Sequence, residues 1–276
     1  MKIQLNQVLN KWGKRPVLWD SYWPSEEQTE LITIFCHGYK GFKDWGGWHL
    51  VAEEFALSGM PFIKFNFSHN GGTIDQPVDF PDLDAFAENN YSLEMADLQR
   101  MIMMINERYG ARRIALVGHS RGGGITLLKA AEEDQVKKVI TWAGVSDFKV
   151  RFQVGSPEFE LWREKGITHI ENTRTGQFLP HNWQFYEDFM ENEARLTISR
   201  AVRQLQIPQL IIHGSDDPTV NLSEAHAIHS WNSNSKLEII PGADHVFGMQ
   251  HPWKKEELPA HMKDTVALTK DFIINA

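Results

Sequence analysis

The sequence predicts an α/β fold built on a mostly parallel, doubly wound sheet of about eight strands. Three observations support this fold class. Short apolar runs rich in β-branched residues alternate with helical patterns from about residue 30 onward. One of these runs leads into a Gly-x-Ser-x-Gly turn at 118–122, and a helical pattern follows the turn directly. The alternation stops over residues 144–203 and then resumes. Such alternation is typical of a parallel sheet covered by helices on both faces.

Composition limits the class of protein further. A chain of 276 residues that is 42% hydrophobic can form one large α/β domain with an insertion, or two small domains. Because the alternation continues to the C-terminus, we expect one domain over 1–276, with 144–203 as its insertion. The net charge of −8 and the lack of a basic tract argue against nucleic acid or an anionic membrane as partner. Oligomeric state is left open.

The expected compartment follows from what the chain lacks. Cys36 is the single cysteine, so no internal disulfide is possible, and its apolar run predicts a buried, inert thiol. The stretch from Met1 to Asn6 lacks the apolar core of a signal peptide, and no apolar run has transmembrane length. We therefore expect a soluble, cytoplasmic protein.

Each element is predicted from its own pattern of apolar residues and breakers. Two weak strand patterns open the chain, and a long polar loop with two prolines suggests the rim of an active site. The first half is predicted as strands at 3–9, 17–22, 31–36 and 62–67, helices at 48–58 and 93–109, and a loop at 68–90. The second half is predicted as strands at 114–117, 136–143, 208–213 and 236–240, helices at 125–133, 222–230 and 254–274, and, inside the insertion, a hairpin of 167–170 with 176–179 and a helix at 183–203. Pro259 should start the last helix or kink it.

The turn Gly118-His119-Ser120-Arg121-Gly122 is the first candidate for chemistry. Gly-x-Ser-x-Gly between a strand and a helix is typical of a nucleophile elbow, a strained turn that exposes a serine hydroxyl. Gly118 and Gly122 leave room for the neighbouring backbone, and the N-terminus of the following helix points at the place where an oxyanion would form. The alternative is a glycine-rich turn with an incidental serine.

Two further motifs come after strands near the C-terminus, His213-Gly214-Ser215-Asp216-Asp217 and Gly242-Ala243-Asp244-His245. The order serine, aspartate, histidine is that of one serine-hydrolase fold. On these motifs, and on His37-Gly38-Tyr39 after the first strong strand, the chain resembles the α/β-hydrolase superfamily over roughly residues 30–275. Within it, the chain is most similar to the dienelactone-hydrolase and cinnamoyl-esterase type of serine hydrolase.

The resemblance implies a role for each motif. Ser120 would attack a carbonyl carbon, and His245 would be the general base. The acid usually occupies the position of Asp217, where it orients the histidine. Asp216 is the alternative, and in that case the other carboxylate would serve as an Asx turn or a helix cap.

The resemblance also implies an oxyanion hole and a cap. The backbone N–H groups of Tyr39 and Arg121 would bind the developing negative charge. The alternative for Tyr39 is ordinary aromatic packing. The insertion at 144–203 stands where the superfamily places a cap, and its aromatic residues would either cover a substrate or anchor the insertion.

Other motifs are missing from the sequence, which narrows the chemistry. We find no phosphate-binding loop, no His-Glu-x-x-His, no cysteine pair and no dinucleotide fingerprint, so no cofactor and no metal are implied. The expected function is hydrolysis of a small-molecule carboxylic ester, short-chain or aryl, through an acyl-enzyme. The alternatives are an aminopeptidase, amidase or thioesterase with the same residues, and a non-catalytic ligand-binding protein.

Overall fold

An eight-stranded sheet organises the protein in the computed structural model, which describes residues 1–275. In chain order the strands are β1 (Lys2–Leu9), β2 (Val17–Trp23), β3 (Leu31–Cys36), β4 (Phe62–Phe65), β5 (Arg113–His119), β6 (Val136–Trp142), β7 (Ile167–Asn172), β8 (Gln177–Asn182), β9 (Gln209–Gly214) and β10 (Lys236–Ile240). The sheet order is β1-β2-β4-β3-β5-β6-β9-β10. Within this sheet, as described for residues 1–275, only β1 with β2 and β2 with β4 pair in antiparallel fashion. The predicted mostly parallel sheet of about eight strands is therefore confirmed.

Helices connect the parallel strands and cover the sheet. They are α1 (Trp48–Leu57), α2 (Leu83–Glu88), α3 (Tyr91–Tyr109), α4 (Arg121–Ala130), α5 (Pro157–Lys165), α6 (Gln184–Glu191), α7 (Glu193–Leu196), α8 (Ile198–Gln204), α9 (Leu222–Trp231) and α10 (Ala260–Asn275). The last of them begins directly after Pro259, as predicted. None of the helices within residues 1–275 is long and apolar enough to cross a membrane.

Both faces of the sheet are buried, which is why β3 is apolar at every position except Thr33. In β3, Ile32 and Ile34 belong to the core on one face, whereas Leu31 and Phe35 belong to the core on the other. Successive side chains of a strand point to opposite faces, so a strand covered on both faces is apolar at most of its positions. Cys36 is fully buried at the end of this strand, in agreement with the sequence.

Several predicted boundaries are shifted by a few residues, among them those of β4, α4 and α10, and two segments differ in kind from their prediction. The single helix predicted for 183–203 is three short helices, because Asn192 ends α6 and the extended backbone of Thr197 separates α7 from α8. The predicted loop at 68–90 contains α2, whose first turn is capped by the Asp82 side chain accepting from Ala85 N at 2.9 Å. A helix of six residues is too short to show a periodic pattern.

The segment 144–203 lies between β6 and β9 and includes the predicted hairpin, formed by β7 and β8 as a separate antiparallel pair. Its apolar side chains, including Phe148, Trp162 and Phe185, belong to the same buried cluster as the residues of α3 and α4. The segment is therefore packed onto one face of the sheet at its carboxyl end and shares the core of the protein.

Candidate active site

Ser120 occupies a strained turn between β5 and α4. Its backbone has φ 56° and ψ −120°, a combination that residues with a side chain rarely adopt. The end of β6 holds this conformation, since Ser120 N donates to Trp142 O at 2.9 Å and Val145 N donates to Ser120 O at 3.2 Å. The turn places the Ser120 side chain at the carboxyl end of the sheet, where ligands bind in open α/β folds.

Two glycines make the turn possible. A Cβ on Gly118 would lie 2.3 Å from the backbone oxygen of Gly122, and a Cβ on Gly122 would lie 2.3 Å from that of Cys36. Neither clash can be relieved by rotating a side chain, because the opposing atoms belong to the backbone. The reason given from the sequence for these glycines is thereby confirmed.

His245 and Asp217 form a direct hydrogen bond. His245 Nδ1 lies 2.8 Å from Asp217 Oδ2, and the Asp217 side chain is fully buried. Its other oxygen accepts from the backbone N–H groups of Thr219 at 2.8 Å and Val220 at 2.9 Å. Asp216 is exposed, and within residues 1–275 its side chain accepts only from the Ser215 hydroxyl, at 2.7 Å. The structure thus brings Asp217, and not Asp216, to His245.

Asp217 is held in its charged form. Burial by itself would raise the pKa of Asp217, but hydrogen bonds from His213 and His245 outweigh this and keep the pKa well below its usual range. His213 Nε2 lies 3.3 Å from Asp217 Oδ2 and 2.9 Å from Val220 O. This supporting role of His213 was not predicted, because the sequence shows only that it ends a strand.

His119 fastens the loop of His245 beside the elbow. Burial lowers the pKa of His119 to about 3, so its ring is neutral, and Nε2 donates to His245 O at 2.8 Å. The two imidazole rings lie 4.8 Å apart between centroids. Among the hydrogen bonds of residues 1–275, none joins the Ser120 hydroxyl to His245. Such bonds are often long in a free enzyme and shorten when substrate is bound.

Two unused backbone donors flank Ser120. A Cβ on Gly38 would lie 2.9 Å from Ser120 Cβ, which places the peptide that leads to Tyr39 against the serine. Within the part of the chain that the structure describes, the backbone N–H groups of Tyr39 and Arg121 donate to no other group. Arg121 is also the first residue of α4, where the helix dipole favours negative charge.

A cavity of about 490 Å³ opens above Ser120. Its floor contains Ser120, Tyr39 and Arg121. Its walls are aromatic and come mostly from segment 144–203, with Phe148, Phe152, Phe159, Trp162 and Phe185 on that side and Tyr91 on α3. Its rim is polar and includes Gln153, Ser156, Glu158, Thr168 and His169. Residues 1–275 contain no group of three His, Cys, Asp or Glu side chains that could hold a metal ion.

The Arg121 side chain lies in this floor. Its Nη1 is 3.3 Å from Glu94 Oε1, and its guanidinium lies 4.2 Å from the centroid of the Tyr39 ring. Burial raises the pKa of Glu94, although the charge of Arg121 opposes this. No local pattern predicts this pair, since Glu94 stands within the amphipathic pattern of α3 and meets Arg121 only in the folded protein.

The mostly parallel sheet, the serine elbow and the histidine–aspartate pair after the last two strands define an α/β hydrolase. The chain belongs to the α/β hydrolase fold family, whose sequence profile matches residues 34–201. The predicted superfamily is therefore confirmed. Membership of this family supports a hydrolase.

Curated relatives and solved structures agree with this family. The human serine hydrolase BPHL is 25% identical over 179 residues, which cover 62% of this chain and 57% of the relative. The esterase Est1E from Butyrivibrio proteoclasticus has a TM-score of 0.70 at 17% identity, covering 94% of each chain. Dienelactone hydrolase from Anabaena variabilis has a TM-score of 0.62 at 16% identity, covering 95% of this chain and 93% of its own. The chain spans only about half the length of the curated human and mouse relatives.

Proposed function

We propose that this protein is a serine hydrolase that cleaves carboxylic esters through an acyl-enzyme. The observation that carries the proposal is the 2.8 Å hydrogen bond between His245 and the buried Asp217, on a loop that His119 holds beside the Ser120 elbow. When His245 donates its Nδ1 proton in the hydrogen bond to Asp217, its Nε2 is free to accept the proton of Ser120. A carboxylate in this place fixes the tautomer and stabilises the imidazolium.

Each step then has a group to perform it. Ser120 Oγ attacks the ester carbon while its proton passes to His245 Nε2, and the carbonyl oxygen becomes an oxyanion. The N–H groups of Tyr39 and Arg121 bind that oxyanion, each contributing about 3 kcal/mol. The intermediate collapses as His245 gives the proton to the departing alcohol. Water, activated by the same histidine, then releases the acid from Ser120.

The cavity supports a small or aromatic ester. Its volume of about 490 Å³ is within the range of small-molecule sites. Aromatic walls favour a planar group through stacking, at about 0.5–1.5 kcal/mol per ring pair beyond burial. A long acyl chain would have to pass the mostly polar exposed lining, where Ile170 is an isolated apolar residue and the methylene groups gain little contact. Ferulic acid, an aromatic acid, is bound in a structure of Est1E that shares this fold with a TM-score of 0.70.

The proposal is tested with a panel of 4-nitrophenyl esters, aryl esters and aminoacyl amides, together with a fluorophosphonate probe. We expect ester turnover in the wild type, stoichiometric labelling of Ser120, and loss of both in Ser120→Ala. Ser223→Ala, at an exposed serine on α9, is the matched control and should behave as the wild type. Labelling at another residue, or turnover that survives Ser120→Ala, would overturn the assignment. Faster cleavage of amides than of esters would overturn the substrate class.

A further inference from the structure

The oxyanion loop depends on segment 144–203 through one side chain. Tyr39 makes no backbone hydrogen bond within residues 1–275, although its neighbours do, for example Gly41 N to Gly38 O at 3.1 Å. The single hydrogen bond of Tyr39 joins its hydroxyl to His181 Nε2 over 2.7 Å. His181 lies on β8, in the hairpin of the segment. Tyr39, whose N–H would bind the oxyanion, is thus anchored by its hydroxyl to a residue of segment 144–203.

The same side chain also reaches the second donor. The ring of Tyr39 stacks on the Arg121 guanidinium, 4.2 Å away, so the two residues that flank Ser120 with free N–H groups are in contact through their side chains. Arg121 is held from its other side by Glu94. A displacement of Tyr39 would therefore disturb both donors, and an oxyanion hole has little tolerance for displacement.

His181 is a firm anchor. Its ring lies between Phe86 of α2 and Phe185 of α6, with centroid distances of 5.3 and 5.5 Å. Its backbone oxygen accepts from Trp162 Nε1 at 2.9 Å. The residue is 4% exposed, and burial lowers the pKa of His181 to about 3, so the bond to Tyr39 joins two neutral groups at physiological pH. Charge repulsion or protonation does not loosen it there.

We propose that His181 is a positioning residue for the oxyanion hole. It holds the Tyr39 hydroxyl, and through it the Tyr39 N–H and the stacked Arg121, so that docking of the β7–β8 hairpin completes the hole. The inference rests on the proposed function, because it assigns a role within the same site. A positioning role should act mainly on kcat, because binding of the ground state does not need the oxyanion donors. A role in substrate contact would instead act mainly on KM.

Kinetic variants separate positioning from packing. We expect His181→Ala and Tyr39→Phe each to lower kcat about tenfold to hundredfold on the ester that the wild type prefers, with KM changed less than about threefold. Tyr39→Phe keeps the ring and the backbone N–H, so it remains informative if His181→Ala folds poorly. The double variant should be no slower than the slower single variant, because both changes break one bond. His181→Gln, which can still bond to the hydroxyl, should recover most of kcat.

Tyr186→Phe is the matched control. Tyr186 lies on α6 in the same segment, its hydroxyl makes no hydrogen bond in the described chain, and it does not line the cavity. It should leave kcat unchanged. Losses that multiply in the double variant, losses confined to KM, or a kcat of His181→Ala and Tyr39→Phe equal to that of the control would each overturn the proposal.

A measurement that needs no turnover distinguishes this inference from the proposed function. Backbone ¹⁵N relaxation of residues 39 and 121, measured by NMR, should show greater mobility in Tyr39→Phe than in the wild type, and mobility near that of the wild type in His181→Gln. Unchanged mobility in Tyr39→Phe would overturn the positioning role whatever the activity. A wild type that neither cleaves esters nor reacts with a fluorophosphonate would refute the proposed function, while the relaxation data would still decide whether His181 holds Tyr39.

Discussion

Replacing Asp217 by asparagine should almost abolish turnover, and the structure gives the reason. One oxygen of Asp217 accepts from two backbone N–H groups, Thr219 N at 2.8 Å and Val220 N at 2.9 Å. An asparagine must keep its oxygen there, because its NH₂ group would face two donors. The NH₂ group then replaces Oδ2 and meets His245 Nδ1, where it can only donate. His245 must carry its proton on Nε2, the tautomer that cannot accept a proton from Ser120.

The expected loss in kcat is about 10⁴-fold, the size of effect seen when the same exchange is made in a serine-protease triad. This corresponds to about 5 kcal/mol of transition-state stabilisation. The assay is kcat for a 4-nitrophenyl ester near neutral pH, with folding checked by circular dichroism. Asp216→Asn is the matched control. Within residues 1–275 the Asp216 carboxylate is exposed and bonded only to Ser215. The kcat of Asp216→Asn should therefore stay within about twofold of the wild-type value. An Asp217→Asn variant that keeps a tenth of wild-type kcat, or equal losses in both variants, would refute the reasoning.

Three further outcomes are expected. Burial lowers the pKa of His181 to about 3. As the pH falls, His181 is therefore protonated in the unfolded chain before it is protonated in the folded protein. The stabilisation from keeping His181 neutral is complete above the pKa of histidine in the unfolded chain and is lost as the pH falls below it. Between pH 7 and 5, the free energy of unfolding from urea titrations should fall about 2 kcal/mol less in His181→Gln than in the wild type, and equal falls would contradict this. Gly122→Ala should destabilise the protein by about 2 kcal/mol or more, because the new Cβ would lie 2.3 Å from Cys36 O. Gly155→Ala is the control: its new Cβ would meet open space, so it should destabilise the protein by only about 1 kcal/mol. Thermal unfolding measures both variants. The wild type should cleave acetyl and aryl esters much faster than palmitoyl esters. Phe159→Leu, which widens the cavity, should raise the relative rate on octanoyl esters several-fold. An unchanged chain-length ranking in this variant would show that segment 144–203 does not select the substrate.

Local sequence was sufficient for the sheet and for the elbow. The sequence predicts β3 and β5 from their short apolar runs, because a strand that is buried on both faces is apolar at most of its positions. Ser120 was found for a similar reason. Its turn needs glycines at fixed positions between a strand and a helix, and all of these conditions lie within a few consecutive residues.

Short elements were harder to predict, because their signals are weak or interrupted. Helix α2 has six residues and follows two prolines, so nothing periodic marks it. The helices α6, α7 and α8 follow one another so closely that their apolar residues resemble a single pattern. Helix α6 contacts α3, whereas α8 contacts α4 and α9, so the breaks at Asn192 and Thr197 separate helices that pack against different partners elsewhere in the chain.

The sequence by itself determined the fold class, the position of the serine elbow and the order of the three motifs, because each is specified by residues close together in the chain. Only the tertiary structure decided which of two adjacent carboxylates meets His245, since Asp216 and Asp217 differ in nothing but the direction in which the backbone points them. The same holds for the bond between Tyr39 and His181, which are 142 positions apart in the chain. Contacts of this kind join segments that are far apart in the chain and meet only in the folded protein, so no local pattern records them.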